Sequence, residues 1–255
     1  MAAEGADGAG HHGPLEQFEI QRLFPLEVFG FDASFTNAAL YMVIAVLVIS
    51  AFLILAMGRR ALVPGRVQSM AELSYEYVAG MVRNALGEEG MQFFPWVFSI
   101  FMFVLVLNLI GMIPGAFTVT SHLIVTFALA AMVWTTVVIV GFIKNGPGFL
   151  RLFVPSGVPW ILMPLIVPIE LITFLMRPVS HSVRLFANMM AGHTMLKVFA
   201  GFAVGFISLW APLAVLPAIF LVAFTGLEFL VAFLQALIFA VLTCIYLKDA
   251  LHPHH

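Results

Sequence analysis

The chain has 255 residues, of which 62% are hydrophobic and 9% are charged, with a formal net charge of -2. Soluble domains average about 45–50% apolar and ~25% charged residues, so a soluble core of this length could not bury so much apolar surface. No basic block indicates a nucleic acid partner, and the single Cys244 excludes an internal disulfide or a cysteine-based zinc site. The composition predicts an integral membrane protein that has lipid as its solvent.

Residues 1–34 form a polar segment ahead of the apolar part of the chain. Its acidic residues are Glu4, Asp7, Glu16, Glu19, Glu27 and Asp32. The segment lacks a basic region followed by an apolar run, so we expect no secretory signal peptide. Residues 1–13 are rich in Gly, Ala and His and are predicted to be disordered, with the terminal histidines acting as tail residues and not as metal ligands.

Apolar runs of roughly 20 residues mark the first three membrane spans, because a helix of that length crosses ~30 Å of hydrocarbon. They lie at 38–57, 94–113 and 118–143. Residues 68–86 are too polar to cross. Their apolar residues recur at intervals of three and four, which predicts an amphipathic helix at the membrane interface.

Two much longer apolar blocks follow, at 158–210 and 211–247. Helices of such length must tilt strongly or break to remain in the bilayer. Prolines are expected to shape the entry to each block; they are Pro159, Pro164, Pro168, Pro212 and Pro217. The sequence therefore predicts an all-α polytopic membrane protein with about five transmembrane helices, the last two long and strongly tilted, plus one interfacial helix.

Lysine and arginine residues predict the orientation of these spans. Five crossings place seven of them on one side: Arg59, Arg60, Arg66, Arg83, Lys144, Arg151 and Lys248. The other side holds Arg22 alone. We expect residues 1–34 outside, a single membrane domain over 35–250, and a cytoplasmic tail at 251–255.

The last two blocks carry ionisable side chains at membrane depth, where each costs roughly 2.5–3.5 kcal/mol. They are Glu170, Arg177, His181, Arg184, His193, Lys197 and Glu228, and the polar Gln235 accompanies them. Those near helix ends, Arg177 and Lys197, have an alternative explanation in snorkelling or structural pairing. Arg184 does not, because Val183, Leu185 and Phe186 flank it.

Helical periodicity of ~100° per residue sorts these groups into two polar tracks. His181, Arg177 and Asn188 share a stripe with Arg184, and Glu170 lies about 40° off it and ~21 Å away along the axis. His193 and Lys197 lie on the opposite face. Glu228 and Gln235 share one face ~10 Å apart, and Ala191 and Gly192, next to His193, would let another helix approach closely. Arg184 stands between the tracks, which predicts an ion pathway.

Three segments resemble a known family. Residues 177–193 (RPVSHSVRLFANMMAGH) resemble the stretch around the essential arginine of the ATP synthase a-subunit. Residues 234–247 resemble the last-helix motif of that family, and residues 108–115 (NLIGMIPG) resemble a third segment. The resemblance covers about 35–247.

The resemblance implies a proton-translocating stator subunit of the F0 sector, with two offset half-channels to the c-ring. Arg184 would face the carboxylate of subunit c, with Gln235 and Asn188 beside it. His193 and Glu228 would occupy positions where relatives often carry Glu and His in the opposite order, as in the mitochondrial-type arrangement. Glu170 would serve the cytoplasmic half-channel. His181 stays a candidate through its place on the Arg184 stripe, although many relatives have a small residue there.

The resemblance also implies partners and a location. The partners would be the c-ring, subunit b of the peripheral stalk, the F1 sector and membrane lipid, with no metal or cofactor and no catalysis by the chain alone. The location would be the bacterial inner membrane, with H+ as the default ion.

The residues have four alternative interpretations. A secondary transporter would be expected to show inverted repeats and a midplane substrate site. An ion channel of another family is the second alternative. An intramembrane metalloenzyme would need a closely spaced histidine pair, but His181 and His193 are ~18 Å apart on a helix. A structural membrane scaffold would not need Arg184.

Overall fold

The structure is a computed structural model that describes residues 22–24, 27–28, 31–32, 34–58, 64–113, 115–154, 159–209 and 215–251. The predictions for residues 1–21, for Arg59 and Arg60 and for the tail 252–255 fall outside this part of the chain. The described residues form α1 (Asn37–Met57), α2 (Arg66–Leu86), α3 (Phe94–Gly111), α4 (Leu123–Asn145), α5 (Met163–Leu209) and α6 (Val215–Leu251).

Four short strands precede α1 and were not predicted. They are β1 (Arg22–Phe24), β2 (Glu27–Val28), β3 (Phe31–Asp32) and β4 (Phe35–Thr36). β1 pairs antiparallel with β4, and β2 pairs antiparallel with β3, so the β2–β3 hairpin lies in the sequence between the two strands of the β1–β4 pair. Strands of two or three residues are too short for an alternating pattern to reveal them.

Five helical segments are long and apolar enough to cross a membrane, and they include α1, α3, α4, α5 and α6. This confirms the predicted all-α polytopic fold and the number of spans. α1 begins where predicted because the Thr36 hydroxyl caps it, accepting a hydrogen bond from the Ala39 N–H at 3.3 Å. α3 ends at Gly111, next to the predicted turn, where Gly115 takes a positive φ of 87°.

One predicted boundary was wrong. Residues 118–122 were assigned to the third span, but Thr118 is extended, a single 3-10 turn occupies Val119–Ser121, and α4 starts only at Leu123. Thr120 and Ser121 in this segment are buried. The span was predicted from the length of an apolar run, which carries no information about where the helical hydrogen bonds begin. The prediction therefore included this segment in the helix.

α2 is the amphipathic helix that the sequence predicted, and it is absent from the spans. Its second half packs inward through Val78, Val82 and Leu86, which recur every fourth residue. In its first half, Met70 and Leu73 remain 61% and 69% exposed. These side chains are available to lipid, in keeping with the interfacial position that stays a prediction.

α5 and α6 run for 47 and 37 residues. At 1.5 Å per residue they are about 70 Å and 55 Å long, so neither can stand upright in ~30 Å of hydrocarbon. Pro164 lies in the first turn of α5, as expected of an entry residue, whereas Pro168 and Pro178 lie inside the helix without ending it.

The core is built around α6. Ala232, Ala236, Ala240 and Cys244 recur every fourth residue and are fully buried, so neighbouring helices can approach this seam closely. From α3, the buried Asn108 donates its side-chain N–H to the Ala232 carbonyl at 3.2 Å. In contrast, only 6% of an 18-residue apolar stretch that includes part of α5 is buried, whereas 44% of the equivalent stretch of α6 is buried. α5 therefore presents a long, uncovered face.

Candidate functional site

α5 and α6 lie antiparallel, and two contacts fix their register. His181 packs on Phe239, with ring centroids 3.8 Å apart, and His193 lies against Glu228. Between these two contacts the chain advances twelve residues along α5 and eleven residues along α6. Interpolating between these contacts places Arg184 at the depth of residues 236–237, within about one turn of Gln235.

In the sequence, His193 lies about eighteen residues before the boundary between the last two apolar blocks and Glu228 about sixteen residues after Pro212, which predicts similar depth on antiparallel helices. The structure brings the two side chains into contact. His193 Nδ1 lies 3.3 Å from Glu228 Oε1, and their side chains are only 10% and 4% exposed. Gly192 makes this approach possible, because a Cβ there would lie 2.8 Å from Glu228 Oε1. The role predicted for Gly192, close approach of another helix, is confirmed.

A third residue joins this pair. Thr118 Oγ1, in the segment between α3 and α4, lies 3.2 Å from His193 Nε2 and donates to the Gly111 carbonyl at 3.3 Å. Sequence reasoning missed it because residue 118 was placed inside a span. The available signal was a run of small polar residues, TVTS at 118–121, directly after the NLIGMIPG segment.

The carboxyl group of Glu228 is buried, and apart from the 3.3 Å contact between its Oε1 and His193 Nδ1, neither oxygen has a polar partner among the described residues. A carboxyl group in such surroundings needs a proton or a nearby positive charge to avoid a large desolvation cost. His193 can supply either one, since its imidazole can hold a proton or share it with Glu228 Oε1. The arrangement is chemically suited to passing a proton between the two side chains.

Arg184 occupies the exposed face of α5. Its guanidinium makes no hydrogen bond or ion pair with any residue that the structure describes. Asn188, one turn further along, lines a groove of about 420 Å³ between α5 and α6 together with Gly192, Glu228 and Gln235. Arg184 is thus an exposed arginine within a long apolar helix, and its charge has no counter-charge among the described residues.

His181 is buried against α6 whereas Arg184 is exposed, although the two residues share the predicted stripe. It is 3% exposed and lies between Phe239 and Tyr246, whose ring centroid is 6.2 Å away. Three residues on a helix leave ~60° between side chains, and the edge of the α5–α6 contact falls within that angle. The stripe is therefore divided into a buried side with His181 and an exposed side with Arg184 and Asn188.

Arg177 has the structural pairing that was its alternative explanation. Its guanidinium donates to Asp249 Oδ2 at 2.8 Å and lies over the rings of Phe174 and Tyr246, 5.3 Å and 5.0 Å from their centroids. Nearby, Asn145 donates to the Ala250 carbonyl. These contacts fasten the end of α6 to α4 and α5.

Two further candidates lie apart from the cluster. Glu170 is half-buried near the start of α5, about 21 Å from Arg184 along the axis. Lys197 is half-buried one turn beyond His193, near enough to act on it electrostatically. His181 and His193 stand on one continuous helix at ~18 Å separation, so they cannot share a metal ion.

The fold and site define a polytopic helical membrane protein with titratable side chains in contact at depth between its last two helices. The family described as ATP synthase A chain matches residues 39–248. Three relatives are named ATP synthase subunit a. The protein of Mesorhizobium japonicum is 58% identical over 258 residues, that of Chelativorans sp. 60% over 245 residues, and that of Parvibaculum lavamentivorans 55% over 257 residues. Each alignment covers at least 95% of this chain and at least 98% of the relative. The chain belongs to the ATP synthase A chain family. This confirms the family predicted from the motifs over the transporter and channel alternatives.

Proposed function

We propose that the chain is the proton-translocating stator subunit of the F0 sector of an ATP synthase. The observation that carries the proposal is Arg184, an exposed guanidinium on the uncovered face of α5 that has no hydrogen-bond or ion-pair partner among the described residues. An uncompensated charge in lipid is costly, so it requires a partner outside this chain. A ring of c-subunits, each with a carboxylate at that depth, is the partner that the family membership suggests.

The electrostatics of such a contact would couple proton movement to rotation. A ring carboxyl group must be neutral to face lipid and must ionise to exchange its proton. A guanidinium does not lose its proton, and at ~4 Å with an effective dielectric constant of 20 it would favour the ionised carboxylate by about 4 kcal/mol. Arg184 would also repel a proton that tried to pass directly from one half-channel to the other.

Two half-channels would lead to this point from opposite sides. His193 and Glu228 would relay protons in the outer one, since their contact is at 3.3 Å and both are titratable. Gln235 and Asn188 would line the stretch between this pair and Arg184. Glu170 would serve the cytoplasmic half-channel, and His181, buried one turn from Arg184, would border the same side.

The spans and their charges support a membrane setting for the proposal. Five crossings would put the termini on opposite sides, and the Lys/Arg distribution favours an outer N-terminus and a cytoplasmic C-terminus in a bacterial inner membrane. Subunit b and the F1 sector would be further partners within the complex. The chain would carry out no ATP chemistry by itself and would need no cofactor.

The test is proton pumping in inverted membrane vesicles that contain Arg184→Ala, Arg184→Gln or Arg184→Lys. We expect ATP-driven pumping and ATP synthesis to be lost in the first two and nearly lost in the third, because an ammonium group lacks the planar fork and can lose its proton when desolvated. Arg151→Gln, at an exposed arginine outside α5 and α6, is the matched control and should pump normally. Near-normal ATP synthesis in Arg184→Ala, with the complex assembled, would refute the proposal.

A further inference from the structure

We propose that Thr118 is a positioning residue for the His193–Glu228 relay, holding His193 with a hydrogen on Nε2 and with Nδ1 directed at Glu228. The inference rests on the proposed function insofar as the pair relays protons. It concerns a residue that is 75 positions from His193 in sequence and that lies in a non-helical segment.

Thr118 is itself held firmly in place. It is 3% exposed, and its carbonyl accepts a hydrogen bond from the Ser121 hydroxyl at 2.6 Å. Its methyl group packs against Gly111, where a Cβ would come within 2.8 Å of Thr118 Cγ2. The end of α3 and the turn before α4 therefore fix the position of the hydroxyl that meets His193.

The hydrogen-bond arrangement determines which nitrogen of His193 carries a hydrogen. A threonine hydroxyl has one hydrogen, and we assign that of Thr118 to the Gly111 carbonyl, with which the hydroxyl pairs as donor at 3.3 Å. With this assignment the hydroxyl oxygen accepts from His193, and Nε2 is the donor. Nδ1, 3.3 Å from Glu228 Oε1, is then the nitrogen that gains and loses the proton shared with Glu228.

The consequence is that the proton is exchanged between Nδ1 and Glu228 Oε1 without rotation of the ring, and it enters and leaves the pair through the Glu228 carboxyl group, which lines the groove between α5 and α6. In the neutral pair the proton lies on the Glu228 carboxyl group and Nδ1 accepts it; in the charged pair Nδ1–H donates to the carboxylate. Nε2–H keeps its bond to Thr118 in both states. Glu228 on α6 and Lys197 on α5 are charged groups close to the ring, whereas Thr118 in the α3–α4 segment contributes an uncharged hydroxyl.

The first test is passive proton conduction through F0 in vesicles stripped of F1. Thr118→Ser keeps the hydroxyl and should conduct nearly as the original chain does. Thr118→Val keeps the shape and removes the hydroxyl, and we expect conduction to fall about three- to tenfold, the effect of losing one buried hydrogen bond. Thr126→Val removes another buried hydroxyl, one that bonds only to main-chain carbonyls, and should leave conduction unchanged. Equal conduction in Thr118→Val and Thr118→Ser would overturn the proposal.

A double-mutant cycle separates positioning from a general structural effect. Thr118→Val should cost nothing further in a His193→Gln background, because the group through which Thr118 acts is gone. A loss of the same factor in both backgrounds would show that Thr118 acts independently of His193 and would also overturn the proposal.

The last measurement does not depend on conduction or on the stability of a Thr118 variant. The 15N spectrum of histidine-labelled complex, with His193 identified by its disappearance in His193→Gln, reports which ring nitrogen carries a hydrogen. We expect Nε2–H in the original protein, and a bare Nε2 would overturn the proposal. If His193→Gln and Glu228→Gln both conducted normally, the relay itself would fail, and the spectrum would still decide whether Thr118 orients the ring.

Discussion

Replacing Gly192 by alanine would place one methyl group against the relay. The new Cβ would lie 2.8 Å from Glu228 Oε1 and 3.2 Å from its Cδ. Ordinary contacts between such atoms are about 3.5–4.0 Å, so the carboxyl group must withdraw by roughly 0.7 Å or more. Withdrawal would stretch the 3.3 Å contact with His193 towards ~4 Å, too far for a proton to pass directly between the two side chains.

The expected cost is large for proton movement and small for stability. Overpacking costs typically 1–3 kcal/mol, and alanine recovers up to ~1 kcal/mol through its better helix propensity. A misplacement near 1 Å can, in contrast, slow a reaction by up to ~100-fold. We therefore expect Gly192→Ala to lower proton conduction about 10- to 100-fold while the complex still assembles.

Passive proton conduction in F1-stripped vesicles measures the effect, and the thermal stability of the purified complex measures the packing cost. Gly201→Ala is the matched control, because Gly201 lies on the same helix and a Cβ there meets nothing within 4 Å. Conduction in Gly192→Ala equal to that in Gly201→Ala would refute the reasoning. It would mean that the distance between His193 and Glu228 does not limit proton movement.

Two further predictions concern pairs of side chains. His193→Ala and Glu228→Ala should each slow proton conduction strongly, and the double variant should conduct only slightly less than the worse single variant. The exchanged pair (His193→Glu with Glu228→His) should recover measurable conduction. Additive losses without recovery would show that the two residues are not one relay. Arg177→Met and Asp249→Asn should each lower the thermal midpoint of the complex by a similar, modest amount, and the double variant should lower it by no more than either single variant. Pumping should be retained, because the half-buried ion pair of these residues joins helix ends away from the relay. Loss of pumping at normal stability would contradict this prediction.

Much of the fold was predictable from the sequence because the bilayer acts on each segment separately. A run such as 38–57 must become a helix in lipid to satisfy its own backbone, whatever its neighbours are. The polar pattern of α2 predicted its exclusion from the spans for the same reason. The strands before α1 and the segment at Thr118 were not predictable in this way, since they depend on pairing and packing rather than on local hydropathy.

Some features of the site were likewise predictable from the sequence, and others depended on packing. The unusual placement of Arg184 was visible in the sequence, because an arginine among Val183, Leu185 and Phe186 is costly in any arrangement of helices. The contact between His193 and Glu228 was expected from equal depth alone. Its distance, however, depends on the α5–α6 register and on the missing side chain of Gly192.

The sequence by itself determined which segments span the membrane, which helices must tilt, and which charges lie at depth, because these properties follow from length and hydropathy along one segment. Only the tertiary structure decided that Thr118 meets His193, that His181 is buried while Arg184 is exposed, and that Arg177 pairs with Asp249. Those outcomes depend on lateral packing of helices in lipid, where no hydrophobic force selects partners and the fit of small side chains and hydrogen bonds sets the register.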